Sequence, residues 1–176
     1  MSQVTYQIDP VHSSVHFSVR HMMLSNVRGE FTKVSGTIKF DPENPGDSAV
    51  DAEIDASSIN TREADRDTHL KSADFLDVEK APTLIFHSKQ IEPQKDGGRI
   101  VGDLTIRGVT REVTLDVNGP TPELKDPWGK QRIGVSATTK LNRKDYGLTW
   151  NSALETGGVL VGDEVKIIID VEAVRV

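Results

Sequence analysis

The sequence predicts an all-β protein, an antiparallel barrel of eight or nine strands closed by one short helix. Apolar and polar residues alternate with a period of two along most of the chain, the mark of half-buried strands. Clusters of Gly, Pro, Asn and Asp break the alternation at spacings suited to antiparallel connections. One stretch, Asn60 to Leu76, carries helix signals instead. A length of 176 residues suits one domain over 1–176, large enough to bury a core without staples.

The strands follow in order. Val15, Phe17 and Val19 share an inward face that His21 continues, while His16, Ser18 and Arg20 face outward. Val27, Gly29 and Phe31 keep odd parity, but Ile38 and Phe40 are even, so a bulge or sharp bend is expected at Gly36. Val50, Ala52, Ile54 and Ala56 form the next strand, and Leu84 and Phe86 mark another. Leu104 and Ile106, then Arg107-Gly108, then Val113, Leu115 and Val117 read as a hairpin with glycine where positive φ is cheap. Ile133, Val135, Ala137 and Leu141 precede the closing run Val165, Ile167, Ile169 and Val171.

The connections carry the expected breakers. Asp41 to Asp47 is a turn cluster, Asp96-Gly97-Gly98 a hairpin loop, and Asn118 to Lys130 a long loop stiffened by Pro120, Pro122 and Pro127. Asn142 to Asp163 is a second long segment, with Tyr146, Trp150 and Gly157-Gly158. A short helical turn is expected at Met22 to Ser25. The helix itself is placed at about 61–72, with Asn60 and Glu63 as a variant capping box. Its acids lie early and His69 and Lys71 late, as the helix dipole favours. With only Ala64 and Leu70 on its apolar face, supported by Phe75 and Leu76, it reads as a cap on a barrel.

Composition narrows the function. A net charge of −6 speaks against a nucleic-acid partner, which needs a basic face. The absence of cysteine excludes disulfides, thiolate zinc sites and thiol nucleophiles. Apolar runs are too short for a membrane-spanning helix. The segment Met1 to Tyr6 lacks the features of a signal peptide, so a cytoplasmic location is expected, or a periplasmic one if a leader preceded Met1.

Several runs together resemble one family. They are Asp9-Pro10-Val11-His12-Ser13, the pattern from Val15 to His21, and Arg66-Asp67-x-His69-Leu70-x-Ser72-x-Asp74-Phe75-Leu76. Gly29-x-Phe31, Gly36-x-Ile38-x-Phe40, Ala81-Pro82-x-Leu84-x-Phe86, Gly102-Asp103-Leu104-Thr105-Ile106-Arg107-Gly108-Val109-Thr110 and Asn142-Arg143-x-Asp145-Tyr146-Gly147-Leu148 complete the set. The chain resembles the YceI-like family of polyisoprenoid-binding proteins over nearly its whole length. That resemblance implies an elongated, eight-stranded, lipocalin-like barrel whose apolar pore holds a long isoprenoid chain. It implies no cofactor other than such a bound lipid, and no catalytic activity.

The polar residues allow more than one role. His12 and His16, four apart on a strand, stand roughly 13 Å apart and cannot share one metal directly. His87 points outward. His21 is either a satisfied core histidine or a ligand contact, and His69 has Asp65 four residues earlier as a local partner. Arg66 and Asp67 either pin the helix to the rim or meet a polar head group. Asp65 and Asp67, two apart, do not face each other as an acid/base pair would. Inward Gly29, Gly36, Ala52, Gly102 and Ala137 either leave room for a ligand or receive large neighbours.

The leading expectation is non-catalytic binding, storage or transport of a long apolar lipid, an isoprenoid or isoprenoid quinone. Phe17, Val19, Phe31, Phe86, Leu104, Ile106, Ile133 and Val135 are expected to line the pore. Met22, Met23, Leu24, Leu70, Phe75, Leu76 and Trp150 are expected at the mouth, with His21, Arg66 and His69 near a head group. At about 0.3 kcal/mol per heavy atom, a tail of a few tens of atoms supplies on the order of 10 kcal/mol. Two other readings stay open: a lipid-modifying enzyme using His69 or His21 with Asp67, and a structural or stress protein with a filled barrel. No catalytic residue or metal ligand is assigned, and homodimerisation is left open.

Overall fold

Strands β1 (Val4–Ile8), β2 (Ser14–His21), β3 (Ser25–Phe31), β4 (Val34–Phe40), β5 (Ala49–Asp55) and β6 (Ile59–Asn60) precede the helix α1 (Ala64–Lys71). After it come β7 (Thr83–Gln94), β8 (Gly97–Ile106), β9 (Val109–Asn118), β10 (Leu124–Lys125), β11 (Gln131–Asn142) and β12 (Val161–Arg175). The computed structural model describes residues 3–155 and 157–176, and α1 is the one α-helix among them. None of its described helices is long and apolar enough to cross a membrane.

Eight strands close an antiparallel barrel in the order β11-β9-β8-β7-β5-β4-β1-β12, with β12 returning to β11. The long β12 makes closure possible. One of its edges pairs with β11 from Glu164 to Val174; the other is shared, Val161 to Asp170 with β2 and Ala173 to Arg175 with β1. β3 and β6 continue outward from β2.

The β8–β9 hairpin forms as expected, with Arg107 and Gly108 both at positive φ, the geometry that matches strand twist. The parity change expected as a bulge at Gly36 has another cause. Register from Val34↔Ile54 to Lys39↔Ala49 is unbroken, and the flip falls where β3 ends and β4 begins around Thr32-Lys33. The two strands pair with different neighbours, so nothing forces one parity on both. Nor is Met22 to Ser25 a helical turn. The Leu24 amide donates to the His21 carbonyl at 2.9 Å while Met22 and Met23 both adopt left-handed φ, 50° and 61°, the dihedral signs of a hairpin turn.

The helix starts later than Asn60 implied. Glu63 is the cap, its carboxylate accepting from the Asp65 and Arg66 amides, and the Asn60 side chain serves the Arg62 amide instead. A main apolar cluster, including Val15, Phe31, Leu84, Phe86, Leu104, Ile106 and Ala137, lines the barrel wall. A second, of Tyr6, Ile8, Ile38, Ile133 and Ala173, fills the end opposite α1.

Candidate ligand cavity

The alternation that builds the strands also hollows the barrel. Inward Phe17, Val19, Val27, Ile54, Leu141, Ile167 and Ile169 are only half-buried because they face space rather than neighbours. That space is a cavity of about 570 Å³, within the ~300–1,000 Å³ range of small-molecule sites. A filled barrel is thereby excluded.

Most of the expected lining residues face it: Phe17, Val19, Phe31, Phe86, Leu104, Ile106 and Val135 along the wall. Leu70, Phe75, Leu76, Trp150, His21, Arg66 and His69 border it at the α1 end. Four expected residues do not. Ile133 has the right parity but lies too far along β11, opposite Ala173, and borders a separate small cavity of about 90 Å³. Met22, Met23 and Leu24 sit at the tip of the β2–β3 turn and point to solvent, 39%, 59% and 75% exposed.

The small inward residues divide. A Cβ on Gly29 would stand 2.5 Å from the Phe17 ring, and one on Gly102 2.5 Å from the Phe86 ring. Those glycines receive neighbouring aromatics. Ala52 and Ala137 do face the cavity.

Polarity is confined to one end. Every polar residue bordering the cavity lies there, Arg20, His21, Glu63, Asp65, Arg66, His69, Arg143 and Tyr146, except Thr139, which stands level with Phe17 and gives its hydroxyl to the Thr114 carbonyl. The rest of the lining is aliphatic or aromatic. Exposed Arg20, Glu63 and Asp65 mark where the cavity meets the surface.

The network under α1 explains its attachment. Buried Thr61 receives Arg66 Nε on its hydroxyl at 2.8 Å and Arg66 Nη2 on its carbonyl at 2.7 Å. Its amide and hydroxyl both donate to the Asp67 carboxylate. Arg66 and Asp67 thus hold the helix to the chain leaving β6. His69 pairs with Asp74 at 2.8 Å rather than with Asp65. Its ring packs edge-on to Phe75 and Trp150, centroids 5.1 and 4.7 Å away. With Asp67 committed to Thr61 and His69 to Asp74, the His69–Asp67 dyad of the enzyme reading is not assembled. The His21 side chain makes no hydrogen bond among the described residues, although it borders the cavity.

Arg143 and Tyr146 were missed as site residues. Arg143 is 3% exposed and donates to four backbone carbonyls: Gly162 (2.7 Å), Leu148 (2.6 Å), Trp150 (2.9 Å) and Val161 (3.2 Å). It ties the loop carrying Trp150 to the start of β12. Burial lowers its pKa from the ordinary arginine value, but a guanidinium keeps its proton. Tyr146 is 1% exposed, its hydroxyl has no partner among the described residues, and burial pushes its pKa to about 12. An arginine opening a long loop gives no local sign that the loop will fold over it.

At the opposite end, Asp9, His12 and Glu172 bring three metal-ligand atoms together. Arg132 already donates to both carboxylates, at 2.8 and 3.0 Å, and so places a cation among them. His12 and His16 face solvent, as expected, with His16 beside Glu30 and His87 beside Asp51.

A family model described as the YceI-like domain matches residues 6–173. The chain belongs to this family. A UPF0312 protein of Staphylococcus aureus is 40% identical to this YceI-like chain over 163 residues, 92% of each. The solved YceI protein of Campylobacter jejuni is 33% identical and superposes with a TM-score of 0.73 over 88% of each chain. More distantly, a polyisoprenoid-binding domain from Saccharophagus degradans shares the YceI-like fold at 14% identity. Its TM-score is 0.69, over 98% of this chain and 99% of that one.

Proposed function

We propose that this YceI-like protein binds a long-chain lipid of isoprenoid or isoprenoid-quinone type and stores or carries it without altering it. The observation that carries this reading is the cavity's one-ended polarity. An apolar tube whose polar groups are gathered at the α1 end matches a molecule with one long tail and one small polar head. The tail lies against Phe17, Phe31, Phe86, Leu104 and Ile106, and the head rests near His21, Arg66 and His69. The Saccharophagus domain, which shares the fold, binds polyisoprenoid and supports the lipid class. Asp67 and His69, two of the three residues offered for catalysis, are engaged with Thr61 and Asp74, which favours binding over turnover.

Native mass spectrometry of protein purified from its own host tests this. A co-purifying apolar mass, released on denaturation, is the expected result. Protein that emerges empty and takes up neither geranylgeraniol nor a prenylated quinone would refute it. Chemical conversion of either compound, lost in His69→Ala while binding persists, would instead establish an enzyme.

A further inference from the structure

From the rim of the cavity we infer that the β2–β3 turn docks the open end of the barrel onto an anionic phospholipid surface. This rests on the lipid-binding reading above but concerns a different surface. The turn exposes Met22, Met23 and Leu24, and the neighbouring loop adds Val159, 41% exposed. The two form one patch. The Met22 amide donates to the Leu160 carbonyl at 2.8 Å, and the Met23 sulfur lies where a Cβ on Gly158 would stand, 2.2 Å from it. Consecutive left-handed methionines are costly for L-residues, so this turn retains strain while presenting apolar side chains to solvent. The patch is continuous with the cavity opening, since His21, Leu160 and Val161, next to it in the chain, line the cavity.

Charge identifies the partner. Register aligns Arg28 of β3, Ser18 of β2, Lys166 of β12 and Lys140 of β11 in one row on the outer wall, with Arg20 nearer the tip. Lys144 adds to this side, and Asp163 and Glu164 are its acids, engaging Lys144 and Lys140 at 3.4 and 3.9 Å. Arg28 and Lys166 have no ion-pair partner among the described residues. The α1 side of the rim mixes both signs instead, with Glu63, Asp65 and Asp74 beside Arg62 and Arg66. In a chain of net charge −6, cations clustered beside an exposed apolar tip fit anionic headgroups with the α1 side turned away. A lipid could then pass between bilayer and cavity without crossing water.

Flotation with vesicles of dioleoylphosphatidylcholine, alone or with dioleoylphosphatidylglycerol, tests this on the full chain. The expected result is association with the anionic vesicles that weakens as salt rises. Met23→Ser with Leu24→Ser, and separately Arg28→Glu with Lys166→Glu, should each weaken it by at least about tenfold. Geranylgeraniol uptake, read by fluorescence, should persist in both variants, which shows that fold and cavity survive. Absence of vesicle association, association that both variants retain, or sedimentation showing this patch buried in a dimer would each overturn the docking surface. Loss of geranylgeraniol uptake in the wild-type protein would instead refute the cargo reading, which vesicle binding does not test.

Discussion

The His69 imidazole stands edge-on to the Trp150 indole, with centroids 4.7 Å apart, while its Nε2 meets Asp74 at 2.8 Å. Phe75 completes the cluster 5.4 Å from Trp150, so α1, the segment after it and the long loop before β12 join at one point on the rim. Trp150 borders the cavity, whereas Trp128 is 80% exposed on another loop. In a Trp128→Phe background the remaining emission reports this rim. Titration with geranylgeraniol should shift it to the blue, and His69→Ala should cost about 1 kcal/mol of stability through lost ring contacts. Emission indifferent to a ligand bound by another assay would place the ligand elsewhere.

Arg143 is the fastening of that loop. Replacing it with Leu leaves the carbonyls of Leu148, Trp150, Val161 and Gly162 without their donor. Denaturant unfolding should show a loss of about 3 kcal/mol. Trp150 emission should move to the red in the folded variant as water reaches the loosened loop. A variant as stable as the wild type would show that water replaces the guanidinium at little cost.

Tyr146 offers the opposite outcome. Its hydroxyl is buried without a partner among the described residues, so Tyr146→Phe should raise stability by about 1 kcal/mol at neutral pH. Burial first, and the Asp145 charge second, push the phenol up to about 12. The unfolded chain releases this proton near pH ~10, so the wild type should lose stability as pH rises from there toward the folded value. The advantage of the phenylalanine variant should widen over that interval, as unfolding curves at stepped pH would reveal.

Acid should act at the other end of the barrel. Arg132, and then His12, hold the Asp9 carboxyl down to about 2. Because the folded value lies below the unfolded one of ~3.9, this contribution is present above about pH 4. It is lost as pH falls toward 2. Arg132→Met should be less stable than the wild type at pH 7, and the gap should shrink through that window. Carboxyl titration by NMR should find Asp9 raised in the variant, with His12 still holding it below its ordinary value.

Sequence revealed the faces of the strands more clearly than their heights. The alternation of Val15, Phe17 and Val19 specifies which side turns inward, and the closed barrel follows from enough such strands. It does not specify depth, so parity marks Ile133 as lining although it packs with Tyr6, Ile8, Ile38 and Ala173 beyond the main cavity. Local chemistry likewise failed to reveal orientation at the β2–β3 turn, where apolar side chains are held outward by backbone dihedrals. The capping residue was misplaced because Asn60, Thr61 and Glu63 all offer side-chain oxygens, and only tertiary contacts assign each its amide. Arg143 and Tyr146 were legible as part of a family motif but not as a buried pair, because their burial depends on a loop that closes over them from residues 148 to 161.

Tyr6, Ile8, Ile38, Ile133 and Ala173 pack together away from α1, and among the described residues the cavity meets the surface at the α1 rim. A tailed molecule entering it goes in foot first and must come out head first by the same way. If the protein carries lipid as proposed, source and destination would then compete for one face and be visited in turn. A carrier of the kind proposed would work as a ferry rather than a tunnel, its traffic set by how often it lands and lets go.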